Sequence, residues 1–242
     1  MNRIRKFMVS ALALIAGAVL VLTMAPAHAY AAETRGSSVY KTYDGVNYEA
    51  YNTLSTAALA MATPRIVASK TLPAGSLGLD AMLVENGSII DYLTRYTGVS
   101  GSSLRAIASA EFVSGRQYRA WGRARVYDGS AMGEYRIFDI PQSPILASRT
   151  IEMSRYGVTN GGKTYGSITL SDQLGFEPDL IQAVAENGAT GYVRREDLWT
   201  PEPDNPQEAV IEYGVERTRS IPVYNLAGSV VGWFSLRYGG TD

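Results

Sequence analysis

Four Asx-Gly pairs outline this chain: Asp44-Gly45, Asn86-Gly87, Asp128-Gly129 and Asn187-Gly188 each lie between alternating or apolar segments. A two-residue hairpin turn needs positive φ angles, which Asn, Asp and Gly reach at little steric cost, so such pairs mark reversals between antiparallel strands. The first three are spaced by 42 residues, but their flanking sequences do not match. Hairpins in series are therefore expected, not a repeat. Ala57–Ala62 and Leu104–Ala110 have helical propensity, yet Arg65–Leu72 and Leu77–Glu85 read as strands. An all-β sandwich with short connections suits this stretch best.

The predicted fold is mainly β, with an N-terminal β-sandwich-like domain over 39–146 and a smaller C-terminal domain over 147–242. Pro141 and Pro144 close the first unit, since neither can donate to a ladder. The second reads as hairpin-rich with one short helix. It has a hairpin at Leu180–Ala185 and Ala189–Arg195, and another at Ile221–Asn225 and Val230–Leu236. Between them Asn205-Pro206-Gln207-Glu208 has the form of a helix start, with Asn as cap, Pro in the first turn and Glu bonding back. Gly214 ends that helix, and Thr200–Asp204 is a Pro/acid linker before it.

Residues 1–29 have the three parts of a secretory signal peptide: Arg3, Arg5 and Lys6, an uncharged apolar run from Phe7 to Met24, and the small-x-small exit Ala27-His28-Ala29. Residues 30–38 read as a flexible leader. Cleavage leaves about 213 residues, and 19 of the 22 Lys and Arg residues then face 23 acids, a net charge of −4. General attraction to nucleic acid is not expected at that balance, nor membrane association after cleavage. The expected location is secreted or extracellular, including the cell wall.

The chain has no cysteine, and its one histidine, His28, lies in the predicted signal. The mature protein therefore has no imidazole- or thiol-based relay, no Cys/His zinc site and no disulfide framework. Ser38-Val-Tyr-Lys41 fits a Ser-x-x-Lys pattern, but without the supporting elements in order. Asp80, Glu85, Asp91, Glu111 and Glu134 are scattered along strands and turns as solvating acids are, and no Asp-x-Asp-x-Asp-Gly calcium loop occurs. No catalytic residue, metal ligand or cofactor is assigned.

The sharpest local feature is Arg119-Ala-Trp121-Gly-Arg123-Ala-Arg125-Val-Tyr127. On a strand, Arg119, Trp121, Arg123, Arg125 and Tyr127 share one face, and small apolar residues share the other. Such a cationic–aromatic stripe, if exposed, would bind phosphate or carboxylate through its guanidinium forks and stack sugars on its rings. The plainer expectation is a solvated face whose arginines pair with Asp128, Glu134, Asp139 or Glu111, with Trp121 partly covered.

The tract Lys163-Thr-Tyr-Gly-Ser167, Pro178–Ala183, Glu186-Asn-Gly188, Gly191-Tyr-Val-Arg194 and Asp197-Leu198 resembles a C-terminal segment of uncharacterised exported proteins of Gram-positive, actinobacterial bacteria. A similar segment is sometimes appended to antirepressor-type membrane metallopeptidases. The likeness extends over about 163–236; the zinc-motif helices are absent here, and no activity transfers. Gly191-Tyr-Val-Arg194 beside an Asn-Gly turn also resembles a strand of a bacterial SH3-like barrel, by fold analogy alone. These readings imply a secreted, non-enzymatic protein with a recognition or structural role at the cell envelope. Its expected partner is an anionic or glycan envelope polymer, or another extracellular protein. The alternatives are a carboxylate-based wall-glycan hydrolase and a secreted inhibitor or toxin.

Overall fold

The computed structural model describes residues 32–129, 133–146, 155–199 and 202–240. In its first half the strands are β1 (Ala32–Arg35), β2 (Val39–Tyr43), β3 (Val46–Thr56), β4 (Leu59–Leu72), β5 (Leu77–Glu85), β6 (Ser88–Tyr96), β7 (Gly101–Arg105), β8 (Ala108–Glu111), β9 (Tyr118–Tyr127) and β10 (Tyr135–Ile140). The second half holds β11 (Gly157–Val158), β12 (Thr164–Gly166), α1 (Ser171–Leu174) after a 3-10 turn, β13 (Leu180–Val184) and β14 (Thr190–Arg194). It ends with α2 (Arg195–Leu198), α3 (Pro206–Tyr213), β15 (Arg217–Tyr224) and β16 (Val230–Tyr238). Among the described residues no helix is long and apolar enough to cross a membrane.

β3 alternates between buried and more exposed positions along its whole length, as expected of a strand with one face on a core. It pairs with β4, and each then meets two short strands on its outer side: β1 and β2 on β3, β7 and β8 on β4. The break between β7 and β8 falls opposite Pro64, which has no N–H for a ladder. The second sheet runs β10-β9-β5-β6 and continues through β16, β15, β14, β13, β12 and β11.

β5 is buried at eight of its nine residues, and the reason is that it has a core on each side. Leu77, Leu79, Ala81 and Leu83 pack with Leu54, Ile66 and Leu104 of the first sheet. Met82 and Val84 point the other way, into a core shared with Ile181, Val193, Val223 and Phe234. β9 divides likewise: Tyr118, Ala120, Ala124 and Val126 join the first core, and Trp121 joins the second. Three layers result, with β9-β5-β6 in the middle.

The third layer is a small closed barrel of five strands, β6-β16-β15-β14-β13, completed where Ala183 of β13 pairs with Ile89 of β6. β6 is thus both a strand of the middle layer and a stave of the barrel. The predicted mainly-β class holds; β13–β16 of the C-terminal region close the barrel only together with β6, and the described residues there hold three short helices in place of the single one expected. The foreseen helix is α3: Asn205 accepts from the Glu208 N–H, and Glu208 accepts from the Asp204 N–H, one residue earlier than expected. The leader over 30–38 is corrected in its described part, because Ala32–Arg35 pairs with Thr53–Thr56 as β1. The signal segment lies outside the described residues, as do residues 147–154 at the expected domain junction.

The turns divide into two kinds. Asp44-Gly45 and Asn86-Gly87 have positive φ at both residues, as a two-residue type I′ turn requires. At Asn187-Gly188 only Gly188 is positive, at +81°, and the Ala185–Ala189 pairing closes a longer loop. The two-residue turn expected there is therefore corrected to a longer loop. A Cβ on Gly188 would meet nothing within 4 Å, so substitution is opposed by backbone conformation alone. Gly188→Val is expected to lower stability by about 1–2 kcal/mol. Gly188→Asn, which tolerates that conformation better, should cost less. Thermal denaturation checks both, and an unchanged melting temperature for the Val variant would contradict the turn assignment.

Candidate functional site

The exposed stripe expected on β9 does not exist as an open face. Trp121 is 0% and Arg125 1% exposed, because barrel side chains and Trp199 pack on the indole and Glu202 reaches the guanidinium. Arg119 and Tyr127 are half-buried. Arg123 is pinned between the carboxylates of Glu177 and Asp139, with its guanidinium 3.7 Å from the Trp199 ring centroid. Trp199 donates in turn to Glu177. Burial lifts the Glu177 carboxyl above its usual range, and Arg123 draws it back. Tyr127 packs edge-on against Tyr135, part of a tyrosine cluster with Tyr96 and Tyr213 that seats α3 on the sheet. Three of the acids expected to pair do so: Asp139 meets Arg123, and Asp128 and Glu134 meet Arg136 on the neighbouring β10.

Arg125 is the centre of a buried ionic network. Its guanidinium lies 2.6 Å from Asp80 Oδ1 on β5 and donates from Nε to Glu202 Oε1, also at 2.6 Å. Thr94 donates to Asp80, and Tyr96 donates to the other oxygen of Glu202. Burial opposes the charge on Arg125, but Asp80 and its other neighbours outweigh that and push its pKa up. Burial pushes the Tyr92 and Tyr96 hydroxyls well above their ordinary value. Asp80 is thus no solvating acid. Of the other scattered carboxylates, Glu85, Asp91 and Glu134 are each paired with an arginine. This network ties β5 and β9 to Glu202.

An open cleft lies elsewhere, on the outside of the barrel. Along β14 Gly191 and Val193 are buried, which turns Tyr192 and Arg194 outward. Tyr192 pairs with Tyr224 of β15, and Arg194 pairs with Leu180 of β13, which pairs with Tyr165 of β12. A cleft of about 520 Å³ is lined there by Tyr165, Leu180, Tyr224, Arg194 and Lys163, with Asn160 and Asn225 at its turns. The Arg194 guanidinium sits 4.8 Å from the Tyr224 ring centroid, and the Tyr165 and Tyr192 rings meet edge to face at 5.4 Å. Arg194 has only a 3.8 Å approach to Glu196, both largely solvated, so that pairing is weak. No carboxylate lines the cleft among the described residues. Half-exposed rings, an apolar wall and two cations suit an anionic ligand that also offers a flat apolar face.

No family model, no curated protein and no solved structure matches the chain. In the sequence Lys163, Tyr165, Tyr192 and Arg194 stand out only as marks of a resemblance. The signal that would have found the cleft was the alternation at Gly191-Tyr-Val-Arg194 and Ile221-Pro-Val-Tyr224. It puts aromatic and cationic residues on the outward positions, where a barrel strand normally carries small polar ones.

Proposed function

We propose that this is a secreted, non-enzymatic recognition protein of the bacterial cell envelope, in which a β-sandwich-like N-terminal scaffold presents the barrel cleft to an anionic or glycan polymer. The observation that carries the reading is the cleft itself, with Tyr165 and Tyr224 beside Leu180, and Lys163 and Arg194 as its cations. The resemblance of 163–236 to segments of exported Gram-positive proteins, and the signal-like residues 1–29, support the location. Arg194 supplies a fork for a carboxylate or phosphate, and the tyrosines supply faces for sugar rings.

The test is retention of the purified protein on isolated envelope fractions. Tyr224→Ala and Arg194→Ala should each weaken retention by about tenfold, since charge-assisted bonds are worth about 1.5–3 kcal/mol and 1.4 kcal/mol is tenfold. Their melting temperatures should stay near that of the wild type, and added salt should weaken binding. Equal retention of wild type and both variants would count against the cleft. The hydrolase reading draws on one observation, the burial-raised Glu177 near Asp139. Release of soluble sugar from the same fractions, lost in Glu177→Gln, would favour it instead.

A further inference from the structure

The aromatic surface does not stop at the cleft. On β16 Trp233 is 54% exposed and stands opposite Pro222, which is on the same outward face of β15 as Tyr224. Taken with the pairings of Tyr224 to Tyr192, Arg194 to Leu180 and Leu180 to Tyr165, outward rings and apolar residues run across β16, β15, β14, β13 and β12. Four inter-strand steps of about 4.8 Å give this band a contour of about 19 Å around the barrel surface. It crosses the strands, with Lys163 beside β12 at one end, Arg194 on the middle strand and the Trp233 indole at the other end.

Resting on the recognition reading above, we propose that the band is a binding track for a linear glycan carrying carboxylate groups, of the uronic-acid type. A uronate carboxylate would lie between Lys163 and Arg194, and a more distant sugar ring would stack on Trp233. A linear polymer fits because the band is open and elongated, where a small ligand would need enclosure. A sugar fits because the rings are interleaved with polar groups, Gln182 opposite Tyr192 and Asn160 and Asn225 at the cleft. A carboxylate fits better than a phosphate chain because only two cations serve the whole track. Binding to a polyphosphate backbone rests on many repeated cation contacts, and this chain is net negative.

The experiment is calorimetric titration of the full secreted protein with oligogalacturonate, as disaccharide and as hexasaccharide. The carboxyl-reduced neutral hexasaccharide and inorganic polyphosphate serve as comparison probes. The hexasaccharide should bind about tenfold more tightly than the disaccharide, because it alone reaches both ends of the band. Trp233→Ala should abolish that gain while leaving disaccharide affinity and melting temperature unchanged. Lys163→Ala with Arg194→Ala should weaken both oligogalacturonates by about tenfold or more, and the neutral hexasaccharide should bind at least about tenfold more weakly than the acidic one. Polyphosphate binding as tight as the hexasaccharide, equal affinity for the neutral glycan, or no effect of Trp233→Ala would each overturn the inference. If oligogalacturonate fails to bind while Tyr224-dependent retention on envelope fractions persists, the uronate track falls and the recognition reading stands. If neither is seen, both fall.

Discussion

Arg125→Ala is expected to destabilise the protein by about 3–5 kcal/mol, the cost typical of removing one partner from a buried ion pair. The effect comes from what is left behind. Asp80 is 0% exposed, and without the guanidinium its carboxylate would remain in the middle layer with only the neutral hydroxyls of Thr94 and Tyr92 beside it. Glu202 is less affected, since its side chain is 30% exposed and keeps the Tyr96 hydroxyl. The surface pair of Arg35 with Glu49, at 52% and 34% exposure, provides the contrast. Arg35→Ala should cost no more than about 1 kcal/mol.

Urea unfolding measures the difference, as a lower midpoint for Arg125→Ala with an unchanged slope. The double variant Asp80→Leu with Arg125→Met should recover much of the loss, because apolar replacement of a whole buried pair is often neutral or stabilising. An unfolding free energy for Arg125→Ala within about 1 kcal/mol of wild type would mean that water reaches Asp80.

The behaviour of β9 separates what was legible in the sequence from what was not. Alternation correctly put Tyr118, Ala120, Gly122, Ala124 and Val126 on a packed face, because that inference needs only the strand period. The other face was misjudged because its cover comes from residues distant in sequence: Glu177, Trp199 and Glu202. An arginine that reads as a solvated cation is equally compatible with burial once carboxylates arrive from another layer. Turns were legible for the opposite reason, since φ at Asp44-Gly45 and Asn86-Gly87 is set by the two residues themselves. Barrel closure was not, because it depends on β6 accepting β13 and β16 in parallel, and no local pattern encodes that pairing. The cleft falls between these cases: its outward residues were readable from alternation, but their convergence required the closed barrel.

Trp121→Ala should be nearly as damaging as the loss of Arg125, and it probes the joint between layers. The indole is fully buried on a middle-layer strand, yet it packs with Met82, Val84 and Tyr92 in the core shared with the barrel, its ring 6.0 Å from that of Trp199. Truncating a buried Trp to Ala typically costs about 3–5 kcal/mol, part of it for the cavity left behind. Trp233→Ala, on the exposed face of β16, removes the same side chain with no core to collapse, so its stability should change by less than about 0.5 kcal/mol. The location of the damage is also predicted. The first core, built on Leu54, Ile66 and Leu79, does not contain Trp121. Amide hydrogen exchange in Trp121→Ala should therefore accelerate first in β13–β16, with β3 and β4 protected longer. Uniform acceleration across both sets of strands would instead mean that the two cores open as one cooperative unit through β5, β6 and β9.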